Sequence, residues 1–202
     1  MARTRAEDFE DKQRHILVQA ARVFAEQGME KASMSAIAAA SGASKSLLYH
    51  YYPSKDALIF EIIRSHLEDL EADISKADEP DAPPEARLRR LVRAVLENYR
   101  DADDQHKVQL NAGPVLNEEQ RSHILDLERR IVRRFSTVLN EINPDLDDPA
   151  RPLLMPTTMS LFGMMNWVYM WFREGGPVTR QDYADLATTL VLEGVKAIGR
   201  KD

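Results

Sequence analysis

An all-α fold of about nine helices is predicted by three features of the chain. Ala, Leu, Arg and Glu, all strong helix formers, are abundant, whereas glycines number only eight. β-Branched residues never gather into the alternating runs that mark strands. Apolar residues instead recur three and four positions apart, in stretches bounded by Ser, Gly and Pro where helices start and stop.

The first helix is expected over 8–27, with Phe9, His15-Ile16, Gln19-Ala20 and Val23-Phe24 at helical spacing and Gly28 closing the run. Ser33 can cap a short helix at 34–40, whose side chains are small apart from Met34 and Ile37. Ser41-Gly42-Ala43 reads as a tight turn, and Ser44 can cap a second short helix from Lys45 to about Tyr51. Pro53-Ser54 ends it and starts a longer helix, 54–76, built on Leu58, Ile59, Ile62, Ile63, His66, Leu67 and Leu70. The stretch ADEPDAPPEA (77–86) carries three prolines and four acids and is expected to be a linker or sharp turn between domains. Beyond it Leu88, Leu91, Val92, Val95, Leu96 and Tyr99 mark a helix to about Arg100, and a short one at 105–112 is interrupted by Gly113-Pro114. A long helix follows over 117–142, then a loop at 143–152. The last two helices are expected at 153–174 and 179–199, separated by Gly175-Gly176-Pro177, with Thr179 as the final cap.

Composition narrows the function. No stretch approaches the roughly 18 apolar residues of a membrane span, and the N-terminus has no apolar run after its arginines, so neither an anchor nor a secretory signal is expected. With no cysteine there is no disulfide, thiol nucleophile or Cys-based zinc site. His15, His50, His66, His106 and His123 lack a metal-ligand spacing, and phosphate-loop, dinucleotide and nucleophile-elbow motifs are missing. No cofactor, metal or enzymatic activity is expected, and the cytoplasm is the expected location. The net charge of −6 argues against a general nucleic-acid coat, but its distribution is uneven. Residues 1–55 carry eight basic and six acidic side chains, a balance of +2, and the remainder therefore carries −8. Between Glu30 and Asp56 there is no acid, while Lys31, Lys45, His50 and Lys55 are present. Phosphates are tolerated there and repelled elsewhere.

Two short helices joined by a three-residue turn with a central glycine form a helix-turn-helix. Ala36, Ala38, Ala39 and Ala40 allow close packing, and Leu48 with Tyr52 is the expected anchor of the second helix. The run SMSAIAAASGASKSLLYHYYPSKDAL (33–58) resembles the N-terminal domain of the TetR family of bacterial repressors. The family pattern places an Ile-Ala pair, a turn glycine, a cap serine, a Leu-Tyr helix end and a Ser-Lys start, here Ile37, Ala38, Gly42, Ser44, Leu48, Tyr49, Ser54 and Lys55. Ser41, Ala43, Ser46 and Pro53 depart from it without removing a phosphate-binding group. The resemblance implies a homodimer on a palindromic operator, with half-sites about 34–36 Å apart. By position it makes Lys45, Ser46, Leu47 and His50 base-edge readers, and Ser33, Ser44, Tyr49, Tyr51 and Lys55 contacts to the DNA backbone. It divides the chain into a DNA-binding domain at 1–55, a connecting helix to about 76, and a ligand-binding and dimerisation domain at 56–202.

In that family the C-terminal helices enclose an effector pocket, and the last two form a four-helix dimer interface. Residues 153–172, LLMPTTMSLFGMMNWVYMWF, are apolar nearly all round, which suits a helix facing a core, a partner subunit and a pocket. Asn166 is the polar exception and wants a partner. Expected ligand contacts are Tyr99, Phe135, Met159, Phe162, Met165, Asn166, Tyr169 and Met170. The run NWVYMWFREGGPVT also resembles family members that answer acyl- or aryl-coenzyme A thioesters, so a hydrophobic or acyl-CoA-like effector is the expected partner beside DNA. Arg129, Arg130, Arg133 and Arg134 either hold an anionic ligand or form a solvated face paired with Asp126 and Glu128. The expected mechanism is linkage: effector favours a form whose reading helices are wrongly spaced for the operator, and the helix at 54–76 transmits the change. A helical ligand-binding adaptor without DNA, or an enzyme using the C-terminal pocket, are the competing readings.

Overall fold

The computed structural model describes residues 2–198, with side chains from Phe9 onward except Glu10. The described residues form only helices and connecting turns: α1 (Ala2–Gln27), α2 (Met34–Ala40), α3 (Lys45–Tyr51), α4 (Lys55–Ala77), α5 (Pro84–Asn98), α6 (Asp103–Asn111), α7 (Glu118–Ile142), α8 (Leu154–Asn166), α9 (Val168–Trp171) and α10 (Arg180–Ala197). A 3₁₀ turn at Pro144–Asp147 follows α7. None of the described helices is long and apolar enough to cross a membrane. The helices divide between two compact units, residues 1–68 with 101–125 and residues 69–100 with 126–202. α4 and α7 each have residues in both.

In the first unit α1 begins at Ala2, earlier than the periodicity suggests, because no proline or glycine precedes Phe9. Gly28 closes α1 in the left-handed region, φ 80°, and its N–H donates to the Phe24 carbonyl at 2.9 Å. Gly42 adopts φ 64° in the α2–α3 turn, a conformation a β-carbon would strain. Ser33 and Ser44 cap α2 and α3, their hydroxyls accepting from the N–H groups of Ala36 and Leu47 at 3.1 Å. Ile16, Ala20 and Phe24 of α1, Ile37 of α2, Leu48 of α3, and Leu58 and Ile62 of α4 belong to the core of this unit. α6 packs on α1, and His66 of α4 meets His106 of α6, ring centroids 6.4 Å apart, both buried.

In the second unit α5 is strongly amphipathic, with Leu88, Leu91, Val92, Val95 and Leu96 all buried against α8 and α10. The acidic proline run is not a linker between the units. It is a turn inside the second one, where Pro84 occupies the first position of α5 and Asp78 is pinned by two arginines. The single helix expected at 153–174 is split. The Trp167 N–H reaches back to Gly163 at 3.3 Å, and the Met170 N–H bonds to Trp167 only three residues earlier, at 3.1 Å. That tighter winding separates α8 from α9, and Phe172 then leaves the helix in an extended conformation. Thr179 and Asp182 form a reciprocal capping box at the start of α10. At its end Asn143 donates to the carbonyls of Val195 and Ile198, at 2.8 and 2.9 Å; the expected end at 199 lies outside the described residues.

Candidate nucleic-acid interface and the interior of the second unit

α3 divides its side chains sharply. Leu48 is fully buried and Tyr52 is 5% exposed, so the helix is anchored by one face. Burial pushes the Tyr52 hydroxyl up to about 12, keeping it protonated. Lys45, Ser46, Leu47, Tyr49 and His50 all lie on the exposed side. Ser33 and Ser44 are exposed too; as caps their oxygens accept, which leaves each O–H free to donate to a phosphate. Tyr51 is half-buried and its ring packs edge-on against Phe9 of α1, centroids 5.1 Å apart. Phe9, 45% exposed, thus supports the reading helix from outside the core.

Lys55 stands apart from these residues. Its ammonium donates to the carbonyls of Met29, Glu30 and Ala32 at 2.7, 3.2 and 3.4 Å. An ammonium has three donors, and all three are used inside the protein. The expectation of a phosphate contact meets a side chain that ties the α1–α2 loop to the start of α4.

In the second unit Phe135 and Phe162 meet edge to face at 5.0 Å, and Met165 is fully buried. Asn166 has its partner: the Tyr99 hydroxyl donates to its side-chain oxygen at 2.9 Å. Burial, and secondarily the charge of Glu128, raise the Tyr99 pKa far above its usual value, so the donor is a neutral phenol. Met159 and Met170 lie elsewhere, 50% and 57% exposed. They share the outer surface with Met155, Trp167, Trp171, Leu186 and Leu190. Tyr169 is half-buried with its ring beside Trp167.

Residues 16–62 match the family model for the N-terminal domain of bacterial regulatory proteins of the tetR family. Residues 81–195, more than half of the chain, match that of the tetracyclin repressor-like C-terminal domain. The chain belongs to the TetR family. It is a ligand-responsive transcriptional regulator by that membership. It is similar to the HTH-type transcriptional repressor KstR2 of Mycobacterium tuberculosis, 29% identical over 197 residues that cover 91% of this chain and 92% of that one. Among solved structures, a TetR-family transcriptional regulator from Bordetella parapertussis is 31% identical, covers 94% of this chain and 98% of its own, and superposes with a TM-score of 0.81. AibR, solved in complex with isovaleryl coenzyme A and operator DNA, is 28% identical over 89% of this chain and 97% of its own, TM-score 0.74.

In this TetR-family chain the eight expected ligand contacts therefore separate. Tyr99, Phe135, Phe162 and Met165 are buried in the second unit, Asn166 is half-buried against the Tyr99 hydroxyl, Tyr169 is half-buried beside Trp167, and Met159 and Met170 are on the outer face. The α7 arginines are largely committed to carboxylates: Arg129 to Asp126 at 3.1 Å, Arg130 to Glu71 at 2.7 Å, and Arg134 to Asp78 at 3.0 Å. Two of those three acids come from α4 and the turn just after it, a pairing invisible to a search for neighbours along α7 itself. Asp78 is the residue sequence reasoning passed over. It is almost fully buried, it also binds Arg87 at 2.8 Å, and the arginines hold its carboxyl below the usual range.

Proposed function

We propose that this regulator is a homodimeric repressor that holds a palindromic operator and releases it when a hydrophobic or acyl-thioester effector binds. The observation that carries the reading is α3, which buries Leu48 and presents Lys45, Ser46, Leu47, Tyr49 and His50 on one outer face with no acid in its neighbourhood of sequence. Base edges would be read by Lys45, Ser46, Leu47 and His50, and phosphates held by Ser33, Ser44, Tyr49 and Tyr51. Lys55 acts behind them, fixing the loop that carries Ser33.

The outer apolar surface of α8, α9 and α10 supports a dimer. Seven large apolar side chains exposed on the last helices are more than an isolated soluble chain keeps in water. Met159 and Met170 belong to that interface in this reading. The effector would enter the interior around Phe135, Phe162 and Met165, where the Tyr99 hydroxyl offers a donor to a carbonyl oxygen. The isovaleryl coenzyme A held by AibR and the repressor description of KstR2 support this class of effector and this direction of control. The protein would work in the cytoplasm as a binding switch rather than an enzyme.

A gel-shift series with the chain's own upstream DNA tests the reading. The expected result is a sequence-selective shift that weakens with salt, is lost in Lys45→Ala/His50→Ala, and is reversed by one member of a panel of acyl-CoA thioesters. No selective shift at any salt concentration rejects the repressor, and a shift that no thioester reverses rejects the effector class.

A further inference from the structure

A cavity of about 370 Å³ opens in the second unit between α5 and the first turns of α10, at the C-terminal end of α4. It is separate from the Phe135–Phe162 interior. Ala77, Ala94, Leu96 and Ala184 form its apolar wall, and Arg90, Arg93, Arg180, Gln181 and Glu97, whose carboxylate is held by Arg100, complete the lining. The volume is at the small end of ligand-binding pockets.

Arg90 is unlike the other arginines around it. The Nε and Nη2 groups of a guanidinium form one edge, a fork that matches the two oxygens of a carboxylate. In three other arginines of this unit that edge is filled. Arg93 uses it on Asp185 at 2.8 to 3.1 Å, Arg100 on Glu97 at 2.8 and 2.9 Å, and Arg130 on Glu71 at 2.7 and 3.0 Å. In Arg90 the same two nitrogens are buried and neither makes a hydrogen bond. Glu79, an exposed side chain of the α4–α5 turn, comes within 3.3 Å of Nη2 but without hydrogen-bond alignment. A buried, charged donor pair left unsatisfied is costly, and the group that relieves it is a better-aligned carboxylate.

We propose that this cavity is a second binding site, for a monocarboxylate with a short apolar body. The carboxylate takes the Nε/Nη2 fork of Arg90 in place of Glu79, and the apolar body lies against Ala77, Ala94, Leu96 and Ala184. The flanking cations are not available for a second anionic group: Arg93 is held by Asp185, and Arg180 by Glu174 and the face of Phe172. One negative charge is therefore what the site accommodates. The site does not depend on the operator reading, and its test needs no DNA.

Isothermal titration of the full chain with hexanoate is the direct measurement, with acetate and hexanol as head-only and tail-only probes. Hexanoate is expected to bind saturably in the millimolar range, at least tenfold tighter than either control. Glu79→Gln removes the competing carboxylate and should tighten hexanoate several-fold. Arg90→Gln should weaken it at least tenfold, and Ala94→Leu, which fills the cavity without touching the guanidinium, should abolish it. Each variant's thermal unfolding is recorded to show that it is folded. Unchanged affinity in folded Arg90→Gln overturns the proposal. So does the absence of saturable binding at about 10 mM hexanoate in both the unmodified chain and Glu79→Gln, since a ligand of this size reaches that range when its head and tail are both matched.

Discussion

At the scale of single residues, Lys55 shows how a basic side chain in a DNA-reading segment can serve the fold. Its three carbonyl acceptors fix the turn between α1 and α2. Lys55→Gln should lower stability by roughly 1–3 kcal/mol in urea unfolding. The same variant should leave the salt dependence of operator binding unchanged, whereas removing a cation that neutralises a phosphate would reduce the slope by about one. His66 makes a second prediction. Burial first, and His106 second, lower its pKa from 6.5 to about 4. Between those values the unfolded chain binds a proton that the folded one does not, so stability is fully present above pH 6.5 and declines as the pH falls towards 4. The loss amounts to roughly 3 kcal/mol, and urea midpoints at pH 7 and pH 4.5 should converge in His66→Gln. Sequence placed Leu48 and Tyr52 inside and Tyr49 and His50 outside, because a short helix with one packed face leaves few choices. It placed Tyr51 wholly on the DNA side, because the partner that half-covers it, Phe9, is 42 residues away in the chain.

At the scale of elements, boundaries set by capping chemistry were legible and long-range pairings were not. Ser33, Ser44, Gly28 and Thr179 act within four residues of themselves, so their signals survive without knowledge of the fold. The turn at 78–83 looked like a linker because its acids and prolines are polar and helix-breaking. What makes it part of a packed unit is Arg87 from α5 and Arg134 from α7, both closing on Asp78. Asp78→Asn would remove the charge shared by two guanidinium groups, leaving the nearly buried Arg87 with Glu141 alone, and should destabilise the protein by roughly 1–3 kcal/mol. Chemical denaturation measures this, and Glu79→Gln on the same turn, an exposed position, should change stability by less than about 0.5 kcal/mol. The break between α8 and α9 had no signal in the run itself, where every residue from Asn166 to Phe172 tolerates a helix.

At the scale of the whole molecule, the exposed apolar surface of the last helices is the feature that most needs a partner. On the dimer reading, Leu186→Asp with Leu190→Asp places two charges in the interface without disturbing the buried face of α10, where Ala184, Ala187, Thr188 and Val191 pack. Sedimentation equilibrium should then find monomers at micromolar concentration, and operator affinity should fall by a hundredfold or more as the two half-sites cease to be bound together. A double variant that stays dimeric would assign the interface to another surface. The same surface explains why Met159 and Met170 were expected at a ligand: apolar composition is shared by cores, pockets and interfaces, and only exposure separates them.

Sequence alone was sufficient for the helical class, the order of the helices, and the reading motif at 33–58, because these depend on spacing and on caps that act over a few residues. It carried the family as well, since the motif's glycine, serines and aromatic positions fall within one continuous run. Tertiary structure decided which arginine meets which acid, that Lys55 is spent on carbonyls, that Asn166 answers Tyr99, and that the buried fork of Arg90 is left without a hydrogen bond in a residue lining a cavity. Most of those facts join residues from 9 to 96 positions apart or rest on the direction in which one side chain is aimed. Helical periodicity says which face a residue occupies, and carries no information about what that face meets.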